Sequence, residues 1–355
     1  MKYQFVARLV LSEHGSFAAG GGNMVLAKAL EFPSVLPEGF PVLEREPAFD
    51  PARHLALERP ERIVSLRDLG YSPEEIAACP TDLGITSCFR ILSNEGVACL
   101  LEVARGLERH VRGVERISRM VRGGAYQSRF LRDLCLSPDI VQWISEICGA
   151  PMAPHSIPHQ LGHLNYNPLK VGENVDKWHV DTLRIDYVMF VTDPNAVEGG
   201  EFEYFLGTKH EAKSLHRAGR TLPPDRVIAP RLPGPGYAVL QQGNMVVHRA
   251  KGLRRAAERI TMVNGYVPGD PQVPDYTRFD QLALADPAHV AAPEYARHAA
   301  WLGRERLQAL IDAPNYGEDR GIIAARLEAV AAYLAKAGAD IRAAGNAEME
   351  HFGDG

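Results

Sequence analysis

Apolar and polar residues recur along this chain in two rhythms, and the change between them marks its architecture. From Asn94 onward, Val97, Leu100, Leu101, Ala104, Leu107 and Val111 follow the i, i+3, i+4, i+7 spacing that lays one apolar stripe along a helix. Ser72-Pro73-Glu74-Glu75 has the composition of a capping-box start, with Ser72 at N-cap and Glu75 at N3. Ser137-Pro138 opens a further helix lined by Ile140, Val141, Ile144 and Ile147, and Gly149 supplies its stop. Pro33 to Pro60 shows neither period and reads as a loop. Between about 160 and 268 the pattern shortens to β-branched and aromatic runs: Tyr187–Thr192, Glu201–Leu206, Tyr237–Gln241, Met245–His248 and Arg259–Val267. After Asp270 helices return, the last from Ala324 to Gly345 with Leu327, Val330, Leu334 and Ile341 on one side.

The pattern therefore predicts an α+β protein with three regions. Residues 1–158 are expected to be mainly helical, 159–268 to form a β core with an insert at 207–235, and 269–355 to be helical. Short strands separated by Gly and Pro suggest an antiparallel sandwich or jelly roll in place of βαβ units. No internal repeat is visible.

Composition narrows the function. With 46% hydrophobic and 23% charged residues over 355 positions, the chain is of ordinary globular type. Lys and Arg number 39 against 44 Asp and Glu, a net charge of −5, so the molecule as a whole offers no field to nucleic acid. No stretch reaches the roughly 18 apolar residues of a membrane span. Arg8 and Glu13 interrupt the apolar N-terminus before a signal-peptide core could form. Cys79, Cys88, Cys99, Cys135 and Cys148 contain no C-x-x-C pair and read as reduced thiols, so a cytoplasmic location is expected.

Candidate chemistry lies in the β region. In an extended chain alternate residues share a face, so His179 and Asp181 of Trp178-His179-Val180-Asp181 can aim at one point. His-x-Asp alone is a common coincidence. His248, on a later strand, can join the pair. Two neutral imidazoles and one carboxylate leave coordination positions open and suit non-haem Fe(II). Arg259, with Thr261 on the same face two residues on, provides a guanidinium fork and a hydroxyl for a buried carboxylate. A rival set, His155, His159 and His163, would share a helix face, but Pro154 and Pro158 break that helix. Gly20-Gly21-Gly22 lacks the Lys-Ser/Thr of a phosphate loop and reads as a turn.

Trp178-His179-Val180-Asp181, the Gly199-Gly200-Glu201-Phe202 turn, the strand Pro235 to Leu240, His248 and Arg259-Ile260-Thr261 together resemble the Fe(II)- and 2-oxoglutarate-dependent dioxygenases. The resemblance covers about 160 to 268. It implies a double-stranded β-helix (jelly-roll) core in which His179, Asp181 and His248 hold Fe(II) and Arg259, with Thr261, grips the distal carboxylate of 2-oxoglutarate. It also implies a further cosubstrate contact at Asn165 or Tyr166, and O2 as second cosubstrate. In the halogenating branch of that family a small residue replaces the carboxylate; Asp181 here favours hydroxylation or another oxidation. The expected reaction oxidises an unactivated C–H bond of a small organic molecule and releases succinate and CO2.

The insert carries Lys209, Lys213, Arg217, Arg220, Arg226 and Arg231, and reads either as a solvated basic loop or as a lid that draws in an anionic substrate. Arg122, Arg129 and Arg184 are nominated as anion contacts. Two other classes stay open: a cupin-like metal isomerase or hydrolase without 2-oxoglutarate, and a non-catalytic jelly-roll binding protein. A nucleic acid or membrane partner is not expected, and a homo-oligomer is left open.

Overall fold

In the computed structural model, residues 28–343 and 347–353 are described. Gly20–Gly22 and the rest of the N-terminal segment, like the end of the last predicted helix, lie outside them.

Thirteen strands form among the described residues: β1 Ile63–Ser65, β2 Leu83–Thr86, β3 Phe89–Arg90, β4 Met120–Val121, β5 Met152–Pro154, β6 His163–Tyr166, β7 Asp176–His179, β8 Ile185–Phe190, β9 Phe202–Phe205, β10 Val227–Ile228, β11 Tyr237–Gln241, β12 His248–Ala250 and β13 Ile260–Pro268. The large sheet runs β1-β2-β11-β8-β13-β6-β4, with β3 on β11 and β5 on β13, and the small sheet runs β10-β9-β12-β7. From β6 to β13 each strand crosses to the other sheet, apart from the β9–β10 hairpin, and every pairing is antiparallel. That crossing pattern is a jelly roll, one of the two architectures the strand spacing suggested and the double-stranded β-helix the resemblance implied.

Period-2 alternation sorts the large sheet's side chains. Ile185, Tyr187 and Met189 of β8, Leu164 and Tyr166 of β6, and Ile260 and Met262 of β13 point outward, into a cluster built with Leu100, Leu107, Phe130 and Ile144 of the N-terminal helices. The next residues along, Val188 and Phe190 on β8 and Val239 on β11, point inward toward the small sheet. The N-terminal helices thus cover the outer face and leave the inter-sheet space for a site.

The predicted helices form at Pro73–Ala77, Asn94–Leu107 and Pro138–Cys148. Both capping-box bonds of Ser72 and Glu75 are made, and Gly149 sits at φ 62°, where a side chain would be strained. Two expectations need revision. Residues 63–154 also supply β1 to β5, whose two to four residues are too few to display a period. Met245–Val247 is a turn, with Met245 and Val246 N–H both donating to the Gln242 carbonyl, so that His248 begins its strand instead of ending one. These apolar side chains are buried without any ladder, which is why they imitate a strand.

At the C-terminal end, Phe279–Ala285, Ala288–Asp312 and Arg320–Ala343 are helical. On the last of these Val330 is buried, whereas Leu327 and Leu334 remain 52% and 40% exposed, so the expected stripe is only partly covered. No described helix is long and apolar enough to cross a membrane. The cysteines are free thiols.

Candidate metal and cosubstrate site

Register builds the centre. His248 of β12 pairs directly with His179 of β7, which sets the two imidazoles side by side with ring centroids 4.2 Å apart. Asp181 follows β7 by two residues, its N–H donating to the Gly243 carbonyl at 2.8 Å. Its two oxygens lie 3.3 Å from His179 Nε2 and 3.3 Å from His248 Nε2. The ligand atoms of the three residues fall within 4.8 Å of one another, and no other such group occurs among the described residues. His179 Nδ1 donates to the Lys177 carbonyl at 2.7 Å and His248 Nδ1 to the Val246 carbonyl at 3.0 Å. Each ring is thereby held with Nε2 turned toward Asp181, and His248 Nε2 also meets Gln241 Nε2 at 3.2 Å.

Electrostatics tie the three side chains together: burial opposes the charged form of His248, but the Asp181 charge outweighs it and holds this imidazole above its ordinary value. Burial, followed by the Arg116 charge, pulls His179 below the ordinary imidazole value. Burial opposes ionisation of Asp181, but His248 and His179 outweigh it and hold the carboxyl well below its usual range. Next to it Asp186 is fully buried, and burial together with the Asp181 charge pushes its carboxyl well up. Gln241, paired with Asp186 across β11 and β8, donates to Asp186 Oδ1 at 3.0 Å and approaches Asp181 Oδ2 at 3.5 Å. Asp186 and Gln241 thus back the centre, a role that rests on strand register and has no motif.

Arg259 immediately precedes β13 and is 1% exposed. Its Nε donates to the Gly200 carbonyl at 2.8 Å, its Nη1 reaches Thr261 Oγ1 at 3.4 Å, and its guanidinium lies over the Phe190 ring. Gly200 has φ 73°, and a Cβ there would sit 2.8 Å from Arg259 Cδ, so the Gly199-Gly200 turn is what admits this arginine. Burial pulls its pKa down to about 10, and it makes no ion pair among the described residues. Thr261 lies opposite Asn165 across β13 and β6. Asn165 Oδ1 is buried without a partner. Tyr166, on the other side of β6, donates its hydroxyl to the Ala104 carbonyl in the outer core and does not reach the cavity.

His179, Asp181, His248, Arg259, Thr261 and Asn165 line one cavity of about 500 Å³, within the range of small-molecule sites. Of the nominated anion contacts, Arg122 lines it but is held by Asp286 through two bonds of 2.7 Å. Arg129 is exposed on the Arg129–Cys135 helix, away from the cavity. Arg184 donates to the Ala78 and Pro274 carbonyls and borders a separate, much smaller cavity. The three spaced histidines separate as the prolines required: His155 stacks on His298, His159 bonds Glu294 at 2.7 Å, and His163 alone faces the cavity, with Nε2 unpartnered.

The insert is partly ordered. Thr208 caps the helix Lys209–Arg217, and that helix brings Lys209, Lys213 and Arg217 to the cavity wall. The tail Met349–Phe352 also lines the cavity and packs against this helix, with His351 near His216 and Phe352 beside Ala212 and Leu215. The tail could not be placed at the site from sequence, since no local pattern encodes contacts between such distant segments.

No protein-family model and no curated protein matches the sequence. Among solved structures the chain is similar to SnoN, a non-heme alpha ketoglutarate dependent epimerase from nogalamycin biosynthesis, with 19% identity, TM-score 0.40, and coverage of 55% of this chain and 82% of that one. EctD from S. alaskensis, with 2-oxoglutarate and 5-hydroxyectoine, gives 18%, 0.39, 65% and 87%. AviO1 from Streptomyces viridochromogenes Tue57 gives 17%, 0.40, 60% and 98%. These values are too low to carry function across, and the chemistry of the site rests on its own geometry.

Proposed function

We propose that this chain is an Fe(II)- and 2-oxoglutarate-dependent oxygenase that oxidises, most simply by hydroxylation, an unactivated C–H bond of a small organic substrate. One observation carries the reading. A buried arginine with no carboxylate partner shares a cavity with the two imidazoles and one carboxylate of the triad. Asp176 and Glu201 act on this guanidinium only from beyond ion-pair contact, burial still outweighs them, and a carboxylate ligand in direct contact is what would offset the cost.

The residues fit both groups. His179, Asp181 and His248 would hold the iron, their three donors leaving positions for cosubstrate and oxygen. Arg259 and Thr261 would hold the distal carboxylate of 2-oxoglutarate, with Asn165 facing Thr261 as a further polar contact. When bound, iron with 2-oxoglutarate and O2 supplies the oxidising power for the C–H bond, with succinate and CO2 released. The protein's part is orientation and a water-poor cavity. The Nδ1 bonds to Lys177 and Val246 fix the imidazole planes. Asp181 occupies the position that would otherwise be open to an exogenous anion, which supports oxygenation over halogenation.

The test is 2-oxoglutarate binding to Arg259 variants. Truncating one partner of a buried charged pair costs on the order of 2–5 kcal/mol, so Arg259→Ala should weaken 2-oxoglutarate by at least about tenfold with iron content unchanged. Arg259→Lys should recover part of the loss, and Thr261→Val should show a smaller defect. Unchanged 2-oxoglutarate binding in Arg259→Ala would overturn the reading in favour of a metal isomerase or hydrolase on the same barrel.

A further inference from the structure

Beside the triad, on the side of Asp181, the cavity holds polar groups that the metal and 2-oxoglutarate do not use. Asn244 follows Gly243, whose carbonyl anchors the Asp181 N–H. Its side chain is 4% exposed and lines the cavity, and neither its Oδ1 nor its Nδ2 has a hydrogen-bond partner. A buried primary amide with all its bonds unmade costs a few kcal/mol, so such a group is normally matched by something.

Next to it stands Lys209. Its ammonium donates to the Asn244 carbonyl at 3.1 Å and to Met245 Sδ at 3.3 Å, and it makes no ion pair among the described residues. Burial draws its pKa below the ordinary amine value, as expected of a cation without a counter-ion. Its backbone is fixed, since Lys209 N–H donates to the Tyr71 hydroxyl at 2.8 Å and that hydroxyl donates to the Met245 carbonyl at 2.6 Å. Leu183, Leu282 and the Tyr276 ring supply apolar wall in the same cavity. Lys213 and Arg217, one and two turns further along the helix, are exposed at the rim and make no ion pair among the described residues.

From this juxtaposition we infer that Lys209 and Asn244 form the substrate-anchoring subsite, and that the substrate carries a carboxylate on an apolar body. The inference rests on the oxygenase reading, since it places that carboxylate beside the metal and apart from Arg259. A carboxylate is favoured over a phosphate on charge. One ammonium and one amide N–H₂ match a single negative charge, whereas a phosphoryl dianion would leave about one charge uncompensated in a desolvated place. Lys213 and Arg217 then steer the anion to the cavity mouth in a molecule whose net charge is −5.

The experiment uses the full chain loaded with Zn(II) and 2-oxoglutarate, so that Arg259 is already occupied. Hexanoate, hexanamide and hexyl phosphate are titrated by ligand-observed NMR. Hexanoate should bind at least about tenfold more tightly than hexanamide and more tightly than hexyl phosphate. Lys209→Met should reduce hexanoate to the hexanamide level while Zn(II) and 2-oxoglutarate still bind, Lys209→Arg should keep part of the preference, and Asn244→Ala should weaken hexanoate. Equal binding of hexanoate and hexanamide, or an unaltered preference in Lys209→Met, overturns the subsite. Tighter binding of hexyl phosphate overturns the carboxylate assignment. If Zn(II) and 2-oxoglutarate fail to bind at all, the oxygenase reading falls, and this inference with it.

Discussion

His155 is buried, accepts a hydrogen bond at Nδ1 from the Ile157 N–H, and stacks on His298. Burial, and then the His298 charge, push its pKa down to about 3. In the unfolded chain it returns to about 6.5. Between those values the unfolded state binds a proton that the folded state refuses, so stability is fully present above about pH 6.5 and falls as pH drops, by about 1.4 kcal/mol per unit. His155→Asn keeps an acceptor for the Ile157 N–H and removes the titration. Unfolding in urea at pH 7 and pH 5 should therefore show a loss about 2 kcal/mol smaller in the variant. Identical losses in the two proteins would contradict a neutral buried His155. At this scale the sequence was informative where chemistry and spacing coincide, as in His179-x-Asp181 and Arg259-x-Thr261. It was silent on Asp186, Gln241 and Asn244, because their importance comes from which residues the fold sets beside them. Arg129 and Tyr166 show the converse: the residue type was suitable, but one lies on a surface helix and the other one step out of phase with the cavity face of β6.

At the scale of elements, alternation made most of β8, β9, β11 and β13 visible beforehand, and a capping box did the same for a short helix. Two-residue strands and the Met245–Val247 turn carry too few positions to be told apart by period. The described tail, residues 347–353, is the largest unforeseen element, and it straps the cavity from Phe279–Ala285 across to β7. Gln281 binds the Glu348 carbonyl and the Glu350 N–H, Arg278 pairs with Glu350 at 2.7 Å, and Phe352 packs among Trp178, Phe205 and Leu222. Phe352 N–H donates to the Trp178 carbonyl at 2.6 Å, and Trp178 N–H donates to the Gly353 carbonyl at 3.1 Å, so the tail extends the small sheet at its β7 edge. Removing the ring of a half-buried Phe costs on the order of 1–2 kcal/mol, less than the full core value. Phe352→Ala should accelerate hydrogen exchange of the Trp178 and Phe352 amides by about tenfold, with β8 and β13 amides unaffected. Unchanged exchange at Trp178 would mean that the strap is not held by its aromatic end.

For the whole molecule, the two sheets and the helices behind them have one consequence: the inner faces of β6, β7, β12 and β13 meet around a single cavity that contains the triad and Arg259. A non-catalytic jelly roll would have no need to bury an unpaired arginine beside two oriented imidazoles. Fold class and the convergence of His179, Asp181 and His248 could be read in advance because strand alternation and ligand chemistry are local, whereas the cavity wall is assembled from segments hundreds of residues apart. The measurement that bears most directly on the oxygenase reading is anaerobic titration of the protein with Fe(II) and 2-oxoglutarate, followed by visible absorption. The wild-type protein should develop the weak charge-transfer band of a metal-chelated 2-oxo acid, saturating at stoichiometric 2-oxoglutarate, while Asp181→Ala and His248→Ala should fail to do so at the same concentrations. No band in the wild-type protein, or an equal band in both variants, would contradict it.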